Sequence, residues 1–412
     1  MSTPCLSKPK SGARVRIRRN RIEMDPVCFV HNRQVVDGDP RGMDAYARLI
    51  DRPRPRPVDI KKLFIAAYFD YFDGYGFATT KLVEELDGRG FEMELKSHSQ
   101  LKREHPQFSP SQVVRRVSKN RVRSDVLLMF RIPGDTYLMP SKPLMVAFTM
   151  WEASKIPRAW KAPLDCFDVI VTPSTFCHDS FRNTGVSVPI RIVPLPVDLE
   201  VYKFVERTPP EDVFRFLFIS TPVKRKGIDL VVSAWRKAFP GDDSVSLRIH
   251  TRETVKTPYP VVNWEKEVRD DPRVRITTNS LVPEKVNHLY ATHDCLVHPA
   301  RGEGFGLVPV QAMATGLPVI CTGATGCAEF VHDDICYPVS IKGYEDCRTP
   351  FYNVGQWAIP NEDHLVSQMR RVRRDYETAL EKAKLARERV EVRFSTSRMA
   401  DLFVDVLEEF GS

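Results

Sequence analysis

From about residue 60 onward, short apolar runs alternate with amphipathic stretches, and their spacing predicts strands alternating with helices. Lys62–Phe69 is an apolar run of buried-strand type, Asp73-Gly-Tyr-Gly76 follows as a turn, and Ala78–Leu86 has the spacing of an amphipathic helix. Asp125–Phe130, Leu144–Thr149 and Asp168–Thr172 are further predicted strands, with Ser174 placed to cap the helix behind the last of them. Runs this short and this uniformly apolar, with helical material between them, suit a parallel sheet covered on both faces. Ile190–Asp198 is a strand running into a proline-broken exit, and Arg207–Glu211 reads as a linker.

The alternation then restarts. Phe214–Ile219 is a predicted strand, Ser220–Gly227 a polar basic loop, and Ile228–Phe239 an amphipathic helix. Ser246–His250, Val274–Thr277 and Cys295–Val297 follow as strands, with Val286–Ala291 helical between the last two. Gly302, Gly304 and Gly306 punctuate a polar turn; the helix-like run behind it begins at Leu307 and stops at Gly316-Leu-Pro318 before a short strand. Asp333–Pro360 reads as an irregular surface excursion. Arg370–Arg393 predicts one long charged helix, and Thr396–Phe410 a last amphipathic one whose Met399, Phe403 and Leu407 suit docking on a domain surface. Two rounds of alternation divide the chain into a first domain over 58–205 and a second over 211–393, with 394–412 returning to the first.

A chain of 412 residues is long enough for two cores, and 42% hydrophobic with 28% charged residues is an ordinary globular composition. The formal charge of +8 is unevenly placed: residues 1–60 hold 13 Lys/Arg against 7 Asp/Glu, so the remainder is nearly neutral. Residues 1–57 therefore read as a basic, disordered arm ending in the stiff linker Arg52-Pro-Arg-Pro-Arg-Pro57. Such an arm suits a nucleic-acid backbone or an anionic membrane surface; a solvated tail is the plainer reading. No run reaches the roughly 18 to 20 apolar residues of a membrane span. Nine scattered cysteines, without Cys-x-x-Cys or metal-ligand spacing, point to a reducing compartment. The expectation is an intracellular protein, soluble or peripherally membrane-associated, with neither cofactor nor metal in its site. Nothing in the sequence sets an oligomeric state.

Two turns of the second domain favour anions. Glycines ahead of a helix let backbone N–H groups approach a phosphate, and the helix N-terminus adds about half a positive charge. Gly302–Gly306 ahead of Leu307 is one such turn, and Lys224, Arg225 and Lys226 ahead of Ile228 form the other. In the first domain, Gly74 and Gly76 occupy the first strand-to-helix turn, where ligands collect in doubly wound sheets, and Glu152 follows a strand end.

Taken together, these residues resemble the family 4 glycosyltransferases. The likeness is strongest over Gly302–Val319, which is similar to that family's block of two glutamates with seven residues between them, and it extends to Lys226-Gly-Ile-Asp229, Phe148–Glu152, Pro173-Ser174, Val193–Asp198 and Asp73–Gly76. The resemblance implies an α/β fold of GT-B architecture, two Rossmann-like doubly wound domains facing a central cleft. It also implies retaining transfer of a sugar, without a metal, from a nucleotide-diphosphate donor such as a UDP- or GDP-sugar. Glu303 would then face the donor sugar, Lys226 and Arg225 the diphosphate, and Gly304, Phe305, Gly306 and Leu307 would offer backbone donors. Gly74 and Gly76 would close from the opposite domain, and Glu152 would either align the acceptor or serve structure alone. The acceptor stays open among glycan, lipid-linked and nucleic-acid hydroxyls.

Three positions depart from the family pattern. Gln311 stands where the second glutamate is expected, weakening a ribose contact that a carboxylate would charge-assist. Thr221 replaces an arginine, and the histidine that many members carry in the first domain has no match. These departures keep an alternative alive, a catalytically weakened protein of the same fold acting as a sugar-nucleotide binder or scaffold.

Overall fold

The computed structural model describes residues 15–18, 21–24, 57–69, 74–97, 111–133, 141–251, 264–348 and 353–412. Val15–Arg18 (β1) and Arg21–Met24 (β2) pair as a small antiparallel hairpin within the stretch expected to be a disordered arm. The other arm residues, the linker over 52–56 and Asp73 lie outside the described residues.

The first domain contains Lys62–Ala67 (β3), Gly74–Gly88 (α1), Glu92–Ser97 (β4), Gln112–Val117 (α2), Val126–Phe130 (β5) and Leu144–Phe148 (β6). It continues with Lys161–Leu164 (α3), Val169–Thr172 (β7), Thr175–Arg182 (α4) and Ile190–Ile192 (β8). Its six strands form one parallel sheet in the order β4-β3-β5-β6-β7-β8. Every residue of β5 and β6 is buried, as their unbroken apolar runs require. Strand β4 has no such run. It lies at the sheet edge, where Met93 and Leu95 are buried while Glu92 and Lys96 face water, so a search for continuous apolar stretches passes over it.

The second domain contains Phe214–Ile219 (β9), Ile228–Ala238 (α5), Val245–His250 (β10), Val274–Thr277 (β11), Pro283–Ala291 (α6) and Cys295–His298 (β12). Leu307–Ala314 (α7), Val319–Thr322 (β13) and Tyr337–Val339 (β14) complete its core. The sheet order is β11-β10-β9-β12-β13-β14, again parallel throughout. In chain order this is 3-2-1-4-5-6, whose direction reverses between β9 and β12. At that point the following helices leave on opposite faces, which opens a crevice beyond the strand ends. The loops leaving β9 and β12 are the two anion-friendly turns. In the first domain the corresponding reversal lies between β3 and β5, and the chain leaving β3 leads into α1.

Two expectations need correction. The stretch over 333–360 is not irregular: it holds β14 and an antiparallel hairpin of Ile341–Asp346 (β15) and Gln356–Pro360 (β16). The long charged helix is two, Glu362–Arg374 (α8) and Tyr376–Phe394 (α9), because Asp375 adopts non-helical φ −128 and ψ 68 and its side chain caps the second at Thr378 N, 3.4 Å away. The last helix, Thr396–Gly411 (α10), lies on α1: Thr396 donates to Glu85, Arg89 pairs with Asp401 at 2.7 Å, and Met399, Phe403 and Leu407 are buried. The α/β architecture of two doubly wound parallel sheets expected from the sequence is the one observed.

Because Phe403 is 0% exposed, Phe403→Ala is expected to cost about 3–5 kcal/mol through lost transfer energy and the cavity left behind. Urea unfolding followed by fluorescence measures this, and a loss below about 1 kcal/mol rejects α10 as part of the first domain's core.

Candidate active site

Two loops meet at the strand-order reversal of the second domain. After β9, Lys224–Lys226 forms a short 3₁₀ turn, and Gly227 then caps α5 with φ +76. A Cβ on Gly227 would lie 2.1 Å from the Pro299 carbonyl oxygen, so the two loops approach this closely only because that position is glycine. Arg301 fixes the approach. It donates to the Lys224 carbonyl at 2.6 Å and grips Asp229 through two bonds of 2.7 and 2.6 Å. Its Nε lies 3.3 Å from Glu345 on β15, which also pairs with Lys224 at 2.7 Å.

Held this way, the loops converge on Glu303, which is 6% exposed. Lys226 Nζ lies 2.6 Å from Glu303 Oε1, His298 Nε2 lies 3.1 Å from the same oxygen, and Arg225 Nη1 is 3.5 Å from Oε2. Burial pushes the carboxyl pKa up, but Lys226, the hydrogen bond from His298 and Arg225 outweigh it and hold the group well below the usual carboxylate range. Behind Glu303, its amide donates to Thr325 Oγ1 at 3.2 Å, and its carbonyl accepts from Gly326 N at 2.8 Å. Thr325 has φ +55, a left-handed conformation that a β-branched residue adopts only under strain.

The turn after Glu303 faces the first domain. The Gly304 carbonyl accepts from Ser174 Oγ at 2.6 Å and from the Cys177 thiol at 3.2 Å, and a Cβ on Gly304 would meet Met150 at 3.2 Å. Ser174 thus does more than the expected capping, although it also accepts from Cys177 N at 3.1 Å as the N-cap of α4. Burial pushes the Cys177 thiol up to about 11, so it sits there as a neutral donor. Gly306 opens α7 at φ +107 with no side-chain cap, leaving the N–H groups of the first turn without a side-chain acceptor. Phe305 differs: its side chain turns into the core against Phe330 and Phe394.

Gly74 and Gly76 belong to the first turn of α1 rather than to a loop ahead of it. A Cβ on Gly74 would lie 3.1 Å from Leu307 Cδ1, so the N-termini of α1 and α7 face each other across the cleft. Between them, Tyr75 pins the segment that carries Glu152: its hydroxyl donates to Met150 O at 3.0 Å and accepts from Met150 N at 3.1 Å. Glu152 reaches Arg225 Nη2 at 3.4 Å, a cross-domain ion pair. The hairpin β15–β16 seals the same edge. Gln356 exchanges two hydrogen bonds with Ser154, of 3.1 and 2.9 Å, and Ala358 N donates to the Arg301 carbonyl at 2.9 Å.

The structure therefore brings Glu303, Lys226, Arg225 and Glu152 into one chain of charges, with Gly304, Gly306, Leu307 and Gly74 beside them. Gln311 stands apart on the second turn of α7, its Oε1 3.5 Å from the Tyr290 hydroxyl. Sequence reasoning missed His298, Arg301, Tyr75 and Thr325. Tyr75 lay inside the Asp73–Gly76 motif and His298 and Arg301 inside the polar stretch 298–306 that carries Glu303, but no residue pattern marked the role of any of them or of Thr325. Among the described residues no group of three or more His, Cys, Asp or Glu is placed to hold a metal ion.

Solved structures of the same two-domain α/β fold superpose on the chain. The sucrose-phosphate synthase of Thermosynechococcus elongatus superposes with a TM-score of 0.64 at 15% identity over 84% of this chain and 98% of that one. HepE of Anabaena, solved with UDP and glucose, superposes with a TM-score of 0.59 at 12% identity over 84% of this chain and 99% of that one. The profile of the family described as "Family 4 Glycosyltransferase in conflict systems" matches residues 176–403, more than half of the sequence, and the chain belongs to that family. Among curated proteins, a putative glycosyltransferase of a Sulfolobus islandicus filamentous virus is 21% identical over 208 residues, 47% of this chain and 53% of that protein. The lipopolysaccharide glucosyltransferase WaaG of Escherichia coli is 41% identical over 51 residues, 12% of this chain and 14% of its own. The chain spans about half the length, or less, of the curated relatives it matches.

Gly227→Ala and Gly241→Ala both place a side chain at positive φ, but nothing lies within 4 Å of a Cβ at Gly241. The Gly241 variant is expected to lose about 1–2 kcal/mol from backbone strain alone. The Gly227 variant is expected to lose clearly more, read from chemical denaturation. Equal losses mean that the Pro299 approach is not tight.

Proposed function

We propose that this chain transfers a sugar from a nucleoside-diphosphate sugar to an acceptor hydroxyl with retention at the anomeric carbon. The observation that carries the reading is the meeting of two helix N-termini, two cations and one ionised carboxylate at the strand-order reversal. A diphosphate seated there meets the uncapped start of α7 together with Lys226 and Arg225. Lys226 has three N–H donors, and only one is engaged by Glu303 in the pair at 2.6 Å. In the transfer, the bond from C1 to the diphosphate oxygen breaks and its electron pair leaves with the nucleoside diphosphate. The acceptor oxygen forms the new bond to C1 on the same face, and its proton passes to the departing phosphate. The Glu303 carboxylate stabilises the positive charge that develops at the sugar ring, and the cations and backbone N–H groups stabilise the departing negative charge.

UDP-sugars are the first donors to try, because HepE, a neighbour in fold, was solved with UDP and glucose. We assign charge neutralisation to protein groups, so EDTA is expected to leave turnover unchanged. A glycan or lipid-linked acceptor fits the reading as it stands. A nucleic-acid acceptor would draw on the cations before residue 24, and deleting residues 1–24 should then lower salt-dependent DNA or RNA binding; unchanged binding rejects it.

Glu303→Gln and Lys226→Ala are each expected to lower turnover by about 100-fold or more, as removal of a group stabilising transition-state charge does. Near-normal rates for both reject the site assignment. Gln311→Glu is expected to tighten donor binding if the amide reaches the ribose, and calorimetry with UDP reads this directly. A scaffold that had lost catalysis would show no shift of its melting temperature on screening UDP-, GDP- and ADP-sugars, whereas a transferase is stabilised by its donor.

A further inference from the structure

His298 ends β12 after three apolar residues and is 1% exposed. Its Nε2 lies 3.1 Å from Glu303 Oε1. An ionised carboxylate only accepts, so Nε2 carries the ring proton and donates it to that oxygen. Burial, with Lys226 and Arg225 adding to it, favours the neutral ring over the opposing pull of Glu303. Nδ1 is left with an exposed lone pair in chemical terms but a buried one in space, and it has no partner among the described residues. Such a ring is a poor choice for stability, because an unsatisfied buried acceptor is unfavourable and an apolar side chain of similar volume has none. Packing at the end of an apolar strand therefore gives no reason for a histidine here.

The reason lies in what the other partners of Glu303 must do. Lys226 and Arg225 are long side chains, and both are needed by the departing diphosphate. His298 is short and anchored at the end of a central strand, and its donor is directed at one oxygen. We propose that His298 is a positioning residue, which keeps Glu303 Oε1 in place while Lys226 and Arg225 engage the diphosphate. The inference rests on the assignment of Glu303 made above. His298 touches no substrate in this account; it acts through the carboxylate.

The test is hydrolysis of UDP-, GDP-, ADP- and dTDP-glucose by the full chain and by Glu303→Gln, His298→Leu, His298→Gln and the double variant His298→Leu/Glu303→Gln. His298→Leu is expected to lower kcat by about 10- to 100-fold, the scale of a small misplacement of a reacting group. Donor KM should stay within about two-fold, since ground-state binding is not removed, while the melting temperature falls in His298→Leu, where the buried Glu303 loses a donor, and less in His298→Gln, which keeps one. His298→Gln, whose amide nitrogen reaches the place of Nε2, should recover most of the rate. The double variant should fall no further than Glu303→Gln alone, because His298 works only through that carboxylate. Wild-type kcat in His298→Leu, equal kcat losses with equal falls in melting temperature in the Leu and Gln variants, or losses that multiply in the double variant would each overturn the proposal. Normal hydrolysis by Glu303→Gln, or none of the four donors cleaved by the wild-type chain, instead removes the reading of Glu303 on which it rests.

Discussion

An ionised carboxylate can remain buried only where its charge is met on several sides, and the neighbourhood of Glu303 is built to that requirement. Lys226 and His298 share one of its oxygens and Arg225 approaches the other. Those partners come from two loops, so the loops must be held together. The absent side chain at Gly227 permits the contact, and the two-bond grip of Arg301 on Asp229 maintains it. Thr325 accepts the strain of a left-handed backbone to receive the Glu303 amide. Each of these features is secondary in the sense that it does nothing alone; removed from the carboxylate, none has an evident purpose.

The opposite domain contributes shape and polarity. Helix α1 begins against α7, Tyr75 clamps the Met150 backbone from both its donor and acceptor groups, and Ser174 with Cys177 saturates the Gly304 carbonyl. Orienting that carbonyl toward the first domain directs it away from any anion at the start of α7, where a carbonyl oxygen would repel negative charge. The cross-domain pair of Glu152 with Arg225 continues the same chain of charges into the first domain. Any anion entering the cleft therefore competes with carboxylates for cations that are already engaged.

Much of the architecture was legible in the sequence because buried parallel strands are apolar along most of their length: β5 and β6 are apolar at every position, and β9 and β12 at all but one. Edge strand β4 did not, since half of it faces water. The break between α8 and α9 was hidden because Asp375 is one more charge in a charged stretch until its backbone leaves the helical region. In the site, glycines and clustered cations were visible as types. Their partners were not: Arg301 meets Asp229 across 72 positions and Lys226 meets Glu303 across 77, separations that no local pattern encodes. His298 stood just beyond the predicted strand Cys295–Val297, at the head of the glycine-rich stretch, and only its distance to Glu303 distinguishes it.

The hairpin β15–β16 is bonded to Ser154 on one side and to the Arg301 carbonyl and side chain on the other. Separation of the domains must therefore either break the seam at Gln356 or drag on the loop that assembles the carboxylate site. Opening and disassembly thereby become a single mechanical event, because the hairpin ties the spacing of the domains to the loop that carries Glu303.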